Sequence, residues 1–159
     1  MKQVESTKDL YLEYLKDIYS AEVHTVVALH FFEHSASEDK LKKLIHNHTG
    51  ETRLQVLRME EVIDQYDDGL STEHCRSMKT MIEEAKELVK RCTPGGIRDL
   101  AILGSIKRIN QCKIMVYQTL IEMGSRWAST DETELLELNL REERAFYDSI
   151  DTMSKLVTD

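Results

Sequence analysis

The sequence predicts an all-α protein, a four-helix bundle with a fifth helix in its central crossover. Three observations predict it. Apolar residues recur at intervals of three and four along most of the chain, the spacing of one face of a helix. Breakers are scarce, with one Pro and six Gly in 159 residues. A sandwich or barrel needs turn residues about every 8–12 positions, so an all-β fold is excluded. Four of the periodic segments are long, each roughly 28 residues or about 42 Å at the helical rise.

The first helix is predicted from about Lys8 to about Glu33, with an inward stripe of Leu15, Ile18, Glu22, Val26 and Leu29. Ser35, Ala36 and Ser37 stop it, and Ser37 can cap the next. The second runs from about Glu38 to Tyr66, its stripe being Leu41, Leu44, His48, Glu51, Gln55, Met59 and Val62. Asp67, Asp68 and Gly69 end it. A shorter helix, about Thr72 to Cys92, buries Met78, Met81, Ile82, Ala85, Leu88 and Val89. Thr93-Pro94-Gly95-Gly96 is the clearest break in the chain. The third long helix, about Ile97 to Trp127, turns Leu103, Ile106, Asn110, Lys113, Tyr117 and Leu120 inward. The last begins at a capping box, Ser129-Thr130-Asp131-Glu132. It continues to about Val157 on Leu136, Asn139, Glu143, Phe146, Ile150 and Met153.

Tight loops join the first long helix to the second and the third to the fourth, so each pair is antiparallel. The single long connection between the pairs is the ferritin-like arrangement. Residues 1–159 form one domain, long enough for a sizeable core.

Composition limits the partners. Lys plus Arg number 21 against 29 Asp plus Glu, a net charge of −8. That balance argues against a nucleic-acid backbone or an anionic membrane surface. No window reaches the roughly 18 apolar residues of a membrane span. The first ten residues lack the apolar segment of a secretory leader. Cys75, Cys92 and Cys112 are odd in number and form no CxxC pair. They read as reduced thiols, which places the protein in the cytoplasm.

The chemistry lies where the stripes turn polar: Glu22 on the first long helix, His48 and Glu51 on the second, Asn110 and Lys113 on the third, Glu143 on the fourth. Buried carboxylates need partners. A metal pair would supply them. Ferritin-like bundles bind two ions with one Glu from each of two helices and a Glu-x-x-His from each of the others. The candidate ligands here are Glu22, His48, Glu51 and Glu143, with Glu142 in reserve. The set is incomplete. The second helix reads Gly50-Glu51-Thr52-Arg53, and His48-x-x-Glu51 has the spacing in reversed order. The fourth has no His. The other source of positive charge is Lys113, with Arg53, standing in for a metal. Two readings therefore stand. One is a non-catalytic bundle with a degenerate metal site, no catalytic residue and no cofactor. The other is an iron- or manganese-binding oxidoreductase with O₂ or peroxide as co-substrate.

Other patterns carry little chemistry. His30 and His34 stand one turn apart without a third ligand for zinc. His46 and His48 lie on different faces of their helix. The seven methionines sit largely at stripe spacing and fill core. No nucleophile elbow is present, and Pro94-Gly95-Gly96 is a turn rather than a phosphate loop.

Several segments resemble the YciE/YciF-like family of ferritin-like bacterial proteins. Asp17-Ile18-Tyr19-Ser20-Ala21-Glu22 is similar to the family's first-helix segment. Cys75-Arg76-Ser77-Met78 with Met81-Ile82-Glu83-Glu84 resembles its crossover helix. Ile97-Arg98-Asp99 and Tyr117-Gln118-Thr119-Leu120 resemble its third long helix, and Leu135-Leu136, Leu140 and Glu142-Glu143 its fourth. The likeness spans about Thr7 to Val157. It implies a ferritin-like bundle, a homodimer and a link with stress responses, without a settled activity. The departures fall on the implied metal positions. Gly50 and Arg53 stand where the family has Glu-x-x-His, Asn110 and Lys113 where it has glutamates, and Tyr147 where it has an aspartate, with Asp148 next to it. Glu22, Glu51, Glu142 and Glu143 are kept.

Overall fold

The structure is a computed structural model and describes residues 3–66 and 74–158. The described residues form five helices and no strand: α1 Thr7–Ser35, α2 Asp39–Asp64, α3 Arg76–Arg91, α4 Gly96–Gly124 and α5 Thr130–Thr158. α1 pairs mainly with α2 and α4 with α5, while α1 packs on α4, α2 on α5, and α3 against α1 and α4. Both main pairs are antiparallel. Tyr19 meets Glu60 where Glu33 meets His46, and Lys107 meets Asp151 where Asn110 meets Glu143. No helix among the described residues is long and apolar enough to cross a membrane.

The helix ends show what local patterning reaches. α1 opens on a full capping box in which the Ser6 hydroxyl accepts from the Asp9 N–H at 3.1 Å and the Asp9 carboxylate accepts from the Ser6 N–H at 3.0 Å. The predicted cap of α2 moves by one residue. Glu38 is the N-cap, and the Ser37 hydroxyl instead accepts from the Gly95 N–H at 2.9 Å. The Ser37 and Glu38 N–H groups donate to the carboxylate of buried Asp99 at 2.7 and 3.0 Å. An acid in the first turn of α4 thus ties down the α1–α2 turn. Gly95 sits at φ +107°, a conformation that excludes most side chains and favours glycine.

α4 ends at Gly124 rather than at Trp127, because the Trp127 and Ala128 N–H groups turn back to the Gly124 carbonyl. A methyl group at Gly124 would meet the Tyr11 ring at 3.1 Å. The predicted break at Asp67-Asp68-Gly69 and the predicted helix start at Thr72 lie outside the described residues. Within the stripes, Thr25 takes the buried position expected for half-buried Val26, and Leu88 is exposed.

Candidate functional site

Each long helix delivers polar side chains to one level of the bundle: Glu22 from α1, His48 and Gln55 from α2, Asn110, Lys113 and Tyr117 from α4, Asn139 and Glu143 from α5. All are at most 2% exposed. The centre is the Lys113 ammonium. It lies 2.6 Å from Glu22 Oε2, 2.9 Å from Glu143 Oε1 and 3.3 Å from Gln55 Oε1. An ammonium has three N–H donors, and three acceptors surround this one.

The carboxylates are held from their other sides. Tyr117 donates its hydroxyl to Glu22 Oε1 at 2.6 Å and accepts from Asn139 Nδ2 at 3.0 Å. Asn110 Nδ2 donates to Glu143 Oε2 at 2.5 Å. The His48 ring lies flat on Phe146, centroids 3.4 Å apart. Its Nε2 lies 3.3 Å from Glu143 Oε1 and its Nδ1 2.9 Å from Glu51 Oε2. A carboxylate near each ring nitrogen favours the imidazolium. The remaining cavity beside Thr25, Ile109, Asn110 and Phe146 measures about 10 Å³, room for one water at most.

Of the residues predicted for the site, the structure brings together Glu22, His48, Glu143 and Lys113. Glu51 touches the cluster only through His48, and its side chain is 49% exposed. Glu142 is turned to Arg58 Nη1 at 2.8 Å and Gln55 Nε2 at 3.0 Å. Arg53 does not reach the acids: it is exposed and its Nη2 lies 2.8 Å from His30 Nε2. The cation predicted at Arg53 comes instead from Arg58, five residues further on, which also donates to Asn139 Oδ1 at 2.8 Å. Gln55 and Asn139 join as neutral bridges. Both stand in the predicted stripes, so their polarity at inward positions is the signal that marks them. No group of three or more His, Cys, Asp or Glu among the described residues is placed to hold a metal ion.

The electrostatics follow from one lysine facing two buried acids. Burial alone would raise the Glu143 pKa, but Lys113 and His48 outweigh it and hold the carboxyl at about 2. Glu22 has fewer favourable partners. Burial, with the Glu143 charge behind it, wins over Lys113 and lifts Glu22 to about 7. Burial opposes charge on Lys113 and on His48, yet the neighbouring carboxylates prevail and raise both pKa values.

These shifts fix a pH dependence. Glu22 and His48 both bind protons more tightly in the folded chain, so their contribution is complete below their unfolded pKa values. It is lost as pH rises through about 7 for Glu22 and through the raised value of His48. Glu143 acts oppositely, and its contribution is lost only as pH falls from the ordinary carboxylate range towards about 2. The folded state therefore holds extra protons between mildly acidic and mildly basic pH. Urea denaturation is expected to show stability falling by on the order of 1–3 kcal/mol from pH 5 to pH 8. Glu22→Gln should flatten that slope; a wild-type stability that rises over the interval would contradict the assignment.

The comparisons agree with this architecture. The chain matches the family described as "Domain of unknown function (DUF892)" over residues 6–159. It is 29% identical over 146 residues to "Protein YciF" of Escherichia coli K12, covering 91% of this chain and 86% of that protein. The crystal structure of the E. coli stress protein YciF superposes with a TM-score of 0.89 at 25% identity, covering 98% of each chain. YcfI from Rhodopseudomonas palustris superposes with a TM-score of 0.89 at 27% identity, covering 95% of this chain and 96% of that one. The fold is thus the ferritin-like bundle that the helix order predicts, YciF-like as the resemblance implies, and this chain belongs to the DUF892 family.

Proposed function

We propose that this protein is a stress-associated, non-catalytic bundle protein of the cytoplasm, in which a buried ion-pair cluster stands in the position of a degenerate di-metal site. One observation carries the proposal: the Lys113 ammonium lies between Glu22 and Glu143, 2.6 and 2.9 Å from their carboxylate oxygens, and donates to Gln55 at 3.3 Å. A metal pair would have to use the same two carboxylates, and a dication beside the ammonium would meet like charge at close range. The residues present do not fit such a pair. Glu51 turns outward and Glu142 is engaged by Arg58 and Gln55. The cavity of about 10 Å³ leaves no room for O₂ or peroxide beside two ions. Three free, partly buried cysteines fit a reducing compartment. The stress association comes from the similar E. coli protein, which is described as a stress protein.

Thermal melting in excess Mn(II), or in Fe(II) without oxygen, tests the reading. A ligand held only by the folded state adds about 2.7 kcal/mol at a hundred times its Kd. For a chain of this size that raises Tm by roughly 5 °C or more. No rise is expected here. A rise of that size, abolished by Glu143→Gln, would instead favour the iron- or manganese-binding oxidoreductase.

A further inference from the structure

We propose that the cavity between α3 and the α1–α4 pair binds a soft monovalent metal ion, Cu(I), through Cys75, Cys112 and the thioethers of Met78, Met81 and Met115. The site uses none of the carboxylates of the core cluster. The chain has three Cys and seven Met, and five of these ten residues line this one cavity of about 240 Å³. The rest of its wall is mainly apolar, with Ile18, Ala21 and Val116.

The sulfurs come from two neighbouring elements. Cys75 is the N-cap of α3, and Met78 and Met81 follow it at intervals of three. On α4, Cys112 and Met115 have the same spacing. Residues three apart are neighbours on a helix surface, so each side presents a thiol next to a thioether. α3 packs against α4, which brings the two sets around one space. Both thiols are free. Burial raises the Cys112 pKa against the pull of Arg108, and Cys75 raises it further, so the two thiols lie within electrostatic reach of each other.

Core filling does not account for the set. Met78 is 3% exposed and packs in the core, but Met81 is half-buried and Met115 is 64% exposed. The methionine that lies furthest from a core position still lines the cavity beside the two thiols.

Donor chemistry selects the ion. Thiolate and thioether are soft donors, and Cu(I) prefers them. Zn(II) takes four nitrogen, sulfur or oxygen ligands and has little affinity for thioethers. No group of three or more His, Cys, Asp or Glu among the described residues is placed to hold a metal ion, so the thioethers are needed to complete a site here. The charged side chains on the wall are engaged elsewhere. Asp17 lies 3.8 Å from His74 Nε2, and the Lys113 ammonium is held by Glu22 and Glu143. One thiolate and one monovalent ion cancel, so the filled site adds no net charge to an apolar wall. The thiol gives its proton to solvent as the metal binds.

Anaerobic titration of the reduced full chain with Cu(I), against bathocuproine disulfonate as competing chelator, tests the site. Wild type should withdraw about one Cu(I) per chain, and X-ray absorption should show a first shell of sulfur alone. Cys112→Ser should weaken binding by more than about 100-fold, beyond what loss of an outer-shell partner causes. Met115→Leu alters an exposed side chain and should weaken binding roughly tenfold, with helicity by circular dichroism unchanged. Cys92, at the other end of α3, does not line the cavity, so Cys92→Ser should bind as wild type does. No Cu(I) withdrawn, equal losses in Cys92→Ser and Cys112→Ser, a Met115→Leu variant that binds as wild type, or nitrogen or oxygen in the first shell would overturn the proposal. Retention of Fe(II) or Mn(II) by the core carboxylates is a separate result, so the two readings fail separately.

Discussion

Lys113→Met is expected to destabilise the fold by about 3–5 kcal/mol, the usual consequence of removing one partner from a buried ion pair. Methionine nearly matches the volume of lysine, so lost packing is a small part of the effect. The main part is the fate of Glu22 and Glu143, both fully buried, which lose their shared cation. Glu143 keeps His48 and Asn110, whereas Glu22 keeps only Tyr117. Removing the charges along with the cation separates this cause from packing. The combined variant Glu22→Gln, Lys113→Met, Glu143→Gln carries amides in place of unpaired carboxylates and should recover more than half of the loss. Urea midpoints at pH 7 read both changes. A single variant within about 1 kcal/mol of wild type would mean that the cluster does not depend on its cation.

The second large effect is expected at the far end of the bundle. Glu132 is 1% exposed. Its carboxylate accepts the hydroxyl of Tyr11 and, at 2.7 Å, that of Tyr66. Burial and this carboxylate push both phenols well above the ordinary tyrosine range. Tyr11 is fully buried and packs edge-on against Tyr66 and Trp127, with ring centroids 6.2 and 5.8 Å away. Glu132→Ala strands two phenols at once. Each unsatisfied buried hydroxyl costs about 1–3 kcal/mol, so a loss of roughly 2–4 kcal/mol is expected. Glu132→Gln keeps one acceptor oxygen and should lose about half as much. Equal losses in the two variants would show that the hydroxyls do not rely on the carboxylate.

Glu132 also shows how far a sequence can be read. As the third residue after Ser129 it looks like a local capping acid, and its N–H does donate to Ser129 Oγ at 3.1 Å. Its carboxylate serves residues 66 and 121 positions away, which local spacing cannot reveal. Asp99 is similar: it reads as an acid in a first helical turn, yet it closes the α1–α2 turn some 60 residues earlier in the chain.

The core was legible for a physical reason. Helical period alone places Glu22, His48, Lys113 and Glu143 inward, and an inward charge at mid-helix is conspicuous in an apolar stripe. The errors came at the stripe margins. Glu51 follows His48 by three residues, far enough around the helix to reach solvent, and Thr52 takes the inward place. Arg53 points to the side where α1 packs and finds His30, whereas Arg58 points to the side where α5 packs and finds Glu142. Which flank a marginal residue faces depends on the neighbouring helix, and that is set by topology rather than by period.

The most direct test of the ion-pair core is a metal count. Purified protein would be incubated with Fe(II) or Mn(II) without oxygen, desalted, and measured by elemental analysis. A cluster organised around Lys113 should retain no stoichiometric metal. About two ions retained per chain, the complement of a di-metal bundle site, would contradict it.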